Sequence, residues 1–236
     1  MTREDLKRAI DAGLADNNDE HLSVLSLEHD EDAALGVFAT AFLEDPMTAW
    51  LARLDDDDPQ RQEKVYRLSR YLWVMVTRPN LAGGRGVTVG LTCEDDALCG
   101  CLSVLPSSCH EEHWTDFFVA IYHYGLPPAY VRARRLAALQ VLAAKRRAHM
   151  RGTEKWLYLQ GIGVHPESQG KGHGKKMLLW LNGISKAVEA PIYLETESET
   201  NVRMYQKLGY RTLEEVDIAA PGDPSKLRMY LMQRDP

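Results

Sequence analysis

The chain has 236 residues, 44% hydrophobic and 26% charged, proportions that exclude a wholly disordered protein and favour one large folded domain over 1–236. With 28 basic against 34 acidic side chains the formal charge is -6, which argues against nucleic acid as the main partner and suits a cationic small substrate. The apolar runs are short and interrupted by charges, so neither a membrane span nor a secretory signal is expected, and the cytoplasm is the expected compartment.

The first twenty residues are polar and acidic, and a short helix over 3–14 without an apolar stripe predicts a loosely ordered terminus. A β-type run over 24–27 then leads to Ala34, Val37, Phe38, Ala41 and Phe42 at helical spacing. That helix is expected to stop at Asp45-Pro46, because proline has no amide hydrogen and restricts the residue before it; the break exposes Met47 and Trp50. Asp55, Asp56, Asp57 and Asp58 before Pro59 read as a cap with proline at the first helical position, beside the positive helix end. The stripe Val65, Leu68, Leu72, Met75 and Val76 follows and ends at Arg78-Pro79. Two β runs, 86–92 and 97–105, flank the acidic turn Glu94-Asp95-Asp96 and predict an antiparallel hairpin.

Four cysteines crowd into this stretch: Cys93, Cys99, Cys101 and Cys109. They are too few for a disulfide framework, no C-x-x-C pair occurs, and Cys99-Gly100-Cys101 would put both sulfurs on one strand face, so buried free thiols and no metal are expected. From 110 to 151 the composition turns helical, with a break at 125–128 that predicts an insertion of two helices joined at an elbow. On the second, Arg132, Arg134, Arg135, Lys145, Arg146 and Arg147 read as a solvated basic face opposite Val131, Leu136, Leu139, Val141 and Leu142.

The last third alternates between strand and helix. A strand over 156–164 is followed by a helix marked by Met177, Leu181, Ile184 and Val188, a strand over 191–196, a short helix over 201–208 and a closing strand pair. A β-α-β crossover among antiparallel strands predicts an α/β fold: a mixed, mostly antiparallel sheet with helices on both faces.

The strongest chemical signal lies in this crossover. After the strand come Pro166 and the glycine-rich run Gln169, Gly170, Lys171, Gly172, His173, Gly174 and Lys175, leading into a helix. Glycines there let successive backbone amides turn inward, next to the free donors and positive end of the helix, which makes a pyrophosphate cradle. The spacing fits neither a Walker A loop nor the Gly-x-Gly-x-x-Gly dinucleotide fingerprint. Gly161 and Gly163 inside the preceding strand mark a bulge or a close approach, and a bulge would splay the crossover strands and free an edge for an extended amide-containing ligand such as pantetheine.

In these residues the chain resembles the GNAT superfamily of acyl-CoA N-acyltransferases, whose acetyl-CoA loop reads Arg/Gln-x-x-Gly-x-Gly/Ala. Within it, 156–216 is similar to drug-acetylating enzymes of the puromycin N-acetyltransferase kind through Gly163-Val164-x-Pro166, Leu194-Glu195-Thr196 and Tyr205-x-x-Leu208-Gly209-Tyr210. The likeness covers the C-terminal third, with Ala41-Phe42-x-x-Asp45-Pro46 as an N-terminal hint. It implies a central splayed parallel strand pair and acetyl-CoA as acyl donor. Ile162, Gly163 and Val164 would meet the pantetheine arm and the thioester oxygen, the loop from Gln169 to Lys175 the pyrophosphate, and Asn201 the pantetheine chain. Tyr205 stands at the general-acid position beside the coenzyme sulfur, where protonation helps a thiolate leave.

Strand alternation groups Tyr193, Glu195 and Glu197 on one face. Burying a carboxylate unpaired is costly, so Glu195 is expected to act as base or to orient a protonated amine; its alternatives are an edge position or a core arginine partner, and Glu197 and Glu199 look ordinary. His110, His113, His123 and His165 have no spacing that singles one out. The acceptor pocket is expected under the insertion, where Trp114, Phe117, Phe118, Ile121 and Tyr122 form an aromatic stripe that would join Met47 and Trp50. The expected activity is acetyl transfer from acetyl-CoA to the primary amine of a small molecule in a ternary complex. A protein or peptide N-acetyltransferase is the alternative, and a non-catalytic CoA-binding sensor or scaffold the alternative of another class.

Overall fold

Sixteen helices and strands make up the regular structure of the computed structural model, which describes residues 1–17, 21–52, 57–93, 96–109, 114–128, 131 and 133–236. The helices are α1 (Arg3–Asn17), α2 (Leu27–Ala41), α3 (Pro46–Ala52), α4 (Arg61–Leu81), α5 (Trp114–Tyr124), α6 (Ala133–Ala138), α7 (Gln140–His149), α8 (His173–Ala187) and α9 (Glu199–Lys207). Strands β1 (Leu22–Val24), β2 (Val87–Thr92), β3 (Leu98–Pro106), β4 (Leu157–Val164), β5 (Ile192–Thr196), β6 (Arg211–Ala219) and β7 (Lys226–Arg234) form one sheet in the order β1-β2-β3-β4-β5-β7-β6. Every neighbouring pair is antiparallel except β4 and β5, which α8 connects, as a parallel pair requires.

The parallel pair holds its register for three residues, Leu157 to Ile192, Tyr158 to Tyr193 and Leu159 to Leu194. Its divergence has a cause on the other side of β4. There Val104 pairs with Leu159 and Ser103 with Gly161, which leaves Gln160 as an extra residue. Such a bulge bends its strand, so 161–164 stay on β3 and leave β5. The bulge and splayed pair expected from Gly161 and Gly163 are therefore present.

One face of the sheet is covered by α1 and α8, the other by α2 and α4 and, over β5 and β7, by α3, α6 and α7. Three expectations need correction. The N-terminal helix does have an apolar stripe: Leu6 and Ile10, four apart, are fully buried, Leu14 packs beside them, and Gly13 lets the helix approach Ile184. The helix after Pro59 begins at Arg61 and continues past Pro79 to Leu81; Asp58 accepts from the Gln60 amide and Lys64, while Asp55 and Asp56 lie outside the described residues. Among its described residues the insertion has three helices, not two, and its arginines are not all solvated. Arg135 (3% exposed) binds Asp223, Ser225 and the Trp50 carbonyl, and Arg146 (1% exposed) reaches under the sheet to Glu195. Among the described residues no helix is long and apolar enough to cross a membrane.

Candidate active site

Past the end of β4 a single 3-10 turn (Pro166–Ser168) leads into the glycine loop, and α8 starts at His173. Gly170 and Gly172 have φ of +76° and +89°, left-handed conformations that disfavour any side chain, and a Cβ at either would meet nothing within 4 Å. Glycine stands there for its backbone, not for packing. Gly172 is also the N-cap of α8 and has no side chain to satisfy the first helical amides, so they remain for an anionic ligand. The Gln169 side-chain amide donates to the Val164 carbonyl at 3.0 Å and ties the loop to the open edge of β4.

The splay opens a cleft of about 830 Å³, walled by 161–164 of β4, by Glu195 and Glu197 at the end of β5, and by Asn201 and Tyr205 of α9. Its roof comes from Phe42, Trp73 and the insertion residues Leu136, Leu139 and Leu142. The strand glycines serve this roof. A Cβ on Gly161 would stand 2.1 Å from Trp73, and one on Gly163 would stand 2.9 Å from Ala41. Their absence lets Trp73, stacked on Phe38 at 4.1 Å, lie directly on the strand.

Two neighbouring acids in this cleft have different surroundings. Glu195 has a core arginine: Arg146 stands 3.7 Å from one carboxylate oxygen, Tyr158 donates to the other at 3.0 Å, and the Arg146 guanidinium lies 4.0 Å over the Tyr158 ring. Glu197 faces Asp45 instead. Asp45, delivered by the α2–α3 break, accepts from the amide and hydroxyl of Thr48 on one oxygen, both at 2.6 Å. Its other oxygen is buried and receives no N–H or alcohol. Burial first, then the charge and hydrogen bonding of Asp45, hold the Glu197 carboxyl well above the usual carboxylate range. Tyr205 is buried against Tyr210, with ring centroids 5.3 Å apart. Burial, helped by the nearby Glu197, pushes its phenol up and keeps it a proton donor.

Gln169 and Gly174 of the loop, together with Ile162, Gly163, Val164, Asn201, Tyr205, Glu195 and Met47, thus border one space, while Gly170, Lys171, Gly172, His173 and Lys175 lie outside its lining. Trp50 does not: it is buried in the neighbouring core, with Arg135 5.0 Å over its ring. Among the described residues of the α5 stripe none lines the cleft. Phe118 and Tyr122 are 57% and 85% exposed, and α5 packs on α4 through Ala120. The side chains of Trp114 and Phe117, and all of His110 and His113, lie outside the described residues. Nothing local in the sequence pairs Asp45 with Glu197, although the Asp45-Pro46 break and the shared parity of Glu195 and Glu197 both stand in it. The cysteines also need correction. Cys93 and Cys99 form a disulfide, while Cys101 and Cys109 are free. A register shift opposite Leu91 and Thr92 makes Cys99 the extra residue of a bulge, which turns it towards α8, away from the face that buries Cys101.

Residues 129–212 match a family model described as acetyltransferase (GNAT) domain. The fold is shared with histone acetyltransferase HPA2 and related acetyltransferase from Corynebacterium glutamicum, at 18% identity and TM-score 0.56 over 92% of this chain and 97% of that one. It is shared with a Drosophila melanogaster polyamine N-acetyltransferase that forms N-acetylagmatine (13%, 0.55, 91% and 100%) and with mosquito arylalkylamine N-acetyltransferase like 5b (13%, 0.57, 91% and 99%). Residues 129–212 thus match the GNAT acetyltransferase model, and the chain as a whole shares the fold of these N-acetyltransferases.

Proposed function

We propose that the chain moves the acetyl group of acetyl-CoA to the primary amine of a small molecule, by direct transfer while both are bound. The observation that carries this reading is the buried Asp45–Glu197 pair in an apolar-roofed cleft beside the open β4 edge. Two carboxyls side by side repel each other as anions, and the cationic end of an amine placed between them relieves that repulsion. The aliphatic and aromatic roof suits its carbon skeleton, as does the finer likeness of 156–216 to enzymes that acetylate drugs. The structural relatives whose names state polyamine and arylalkylamine acetylation point to the same substrate class.

The coenzyme supplies a thioester already activated for attack by nitrogen. The amides at the start of α8 hold its pyrophosphate, Asn201 its amide-bearing arm, and the backbone of Ile162 and Val164 its carbonyl. An ammonium cannot attack, so the Asp45–Glu197 pair first accepts its proton. Tyr205, kept protonated by burial, gives a proton to the departing sulfur. Glu195, with both oxygens engaged by Arg146 and Tyr158, holds the floor of the cleft in place. Asp45→Asn tests the reading, because asparagine retains an oxygen for Thr48 but cannot take a proton. The amine kcat/KM is expected to fall about a hundred- to ten-thousand-fold while the coenzyme Kd stays unchanged; near-normal turnover would remove Asp45 from the proton path.

A further inference from the structure

The Cys93–Cys99 disulfide lies against both ends of the coenzyme loop. The Cys93 sulfur is 3.7 Å from His173 Nε2, inside the loop, and 3.8 Å from the Ser168 hydroxyl, just before it. Cys99 meets the same segment through its backbone, its carbonyl accepting from the His165 amide at 2.8 Å. Cys93 is half-buried and reachable, Cys99 is buried, and their Cα atoms are 5.9 Å apart at the end of β2 and the start of β3. None of this is needed for acetyl transfer, and the other two cysteines stand apart from it.

We propose that Cys93 and Cys99 are a thiol–disulfide site that sets the geometry of the coenzyme loop. Oxidised, the bond fixes the Cys93 sulfur against Ser168 and His173 and so pre-organises the turn from which the α8 amides emerge. Reduced, Cys93 is released and the loop loses that backing. The reductant is a dithiol. Its first thiolate bonds to the accessible Cys93 sulfur, the S–S electron pair leaves with Cys99, and Cys99 takes a proton. The second thiolate then closes the reductant's own disulfide and expels Cys93 as a thiolate, which takes the second proton. The reverse step needs a two-electron oxidant such as a peroxide, which leaves as water.

The coenzyme role of the loop rests on the functional reading above, so the test has one readout that depends on it and two that do not. The full-length protein is prepared after peroxide and after dithiol treatment. Alkylation under denaturing conditions should find two thiols, Cys101 and Cys109, in the oxidised protein and all four in the reduced one. Amide hydrogen exchange over 165–176 should be faster in the reduced protein, and the coenzyme Kd should rise on the order of tenfold, as expected when a pre-organised loop is loosened. Cys99→Ser protein should behave as the reduced form and ignore reductant. Four alkylatable thiols after peroxide, or equal exchange over 165–176 in both forms, would overturn the proposal. So would a stoichiometric zinc held by Cys93, Cys99 and His173, whose ligand atoms lie within 4.8 Å of one another. Coenzyme that binds neither form would overturn the reading of the loop, while the exchange rates would still decide on the thiol site.

Discussion

From β4 to α8 the chain builds its half of the cleft out of consecutive residues: an open strand edge, one turn, two left-handed glycines and a helix end. The opposite half has no such continuity. Asp45 arrives from the break between α2 and α3, Glu197 from the end of β5, Trp73 from α4 and Leu142 from α7. Backbone groups do the binding in the first half, so local geometry is enough and a short motif records it. Side chains do it in the second, so tertiary packing has to bring them together. The same contrast separates two neighbouring acids: Glu195, on β5, is neutralised by an arginine from the insertion, while Glu197, just past its end, holds its proton more tightly beside another carboxyl.

The largest effect on stability should come from separating Glu195 from its arginine. Arg146→Met leaves a buried carboxylate uncompensated and is expected to cost about 3–5 kcal/mol in urea unfolding. The double variant Arg146→Met, Glu195→Gln should recover most of it. No recovery would mean that Arg146 matters for its packing on Tyr158 rather than for its charge.

Tyr205→Phe sharpens the comparison from the coenzyme side. Turnover should fall about a hundredfold, with coenzyme affinity nearly unchanged. If affinity falls in proportion, the ring is packing and the proton comes from elsewhere.

On stability, Glu197→Gln should have the smallest effect, seen in its pH dependence. The folded state holds the Glu197 proton above the ordinary value of 4.5, so its contribution is full below that value and is lost as pH rises through the raised one. Wild-type stability should therefore decline on the alkaline side with a slope of at most about 1.4 kcal/mol per pH unit, and Glu197→Gln should flatten that decline. Matching slopes in wild type and variant would show that Glu197 ionises freely.

These two halves also explain what could be read in advance. The strand order of the last third, the Gln160 bulge region and the loop follow from glycine positions and periodicity, which are local. The end of α2 before Asp45-Pro46 is legible for the same reason, whereas α3 after it is not. The acceptor side was not: α5 has the more aromatic stripe, yet Phe118 and Tyr122 face outward, and the less conspicuous Leu136, Leu139 and Leu142 roof the cleft. Which face of an inserted helix turns inward depends on anchors such as Arg135 on Asp223 and Arg146 on Glu195, about 50 to 90 residues apart in sequence. Asp45 and Glu197 were likewise ordinary acids until the fold set them side by side. The Cys99 bulge inverted a strand parity that the sequence alone makes look regular.

The central claim is a chemical one, that this cleft acetylates small primary amines. Incubation with acetyl-CoA and a panel of polyamines, arylalkylamines and lysine-containing peptides tests it, with free CoA thiol and acetylated product both measured. The account predicts one thiol released per acetyl-amine formed, and kcat/KM for at least one small amine well above that for the peptides. Peptides acetylated better than every small amine, or no thiol release from a protein that binds the coenzyme, would contradict it.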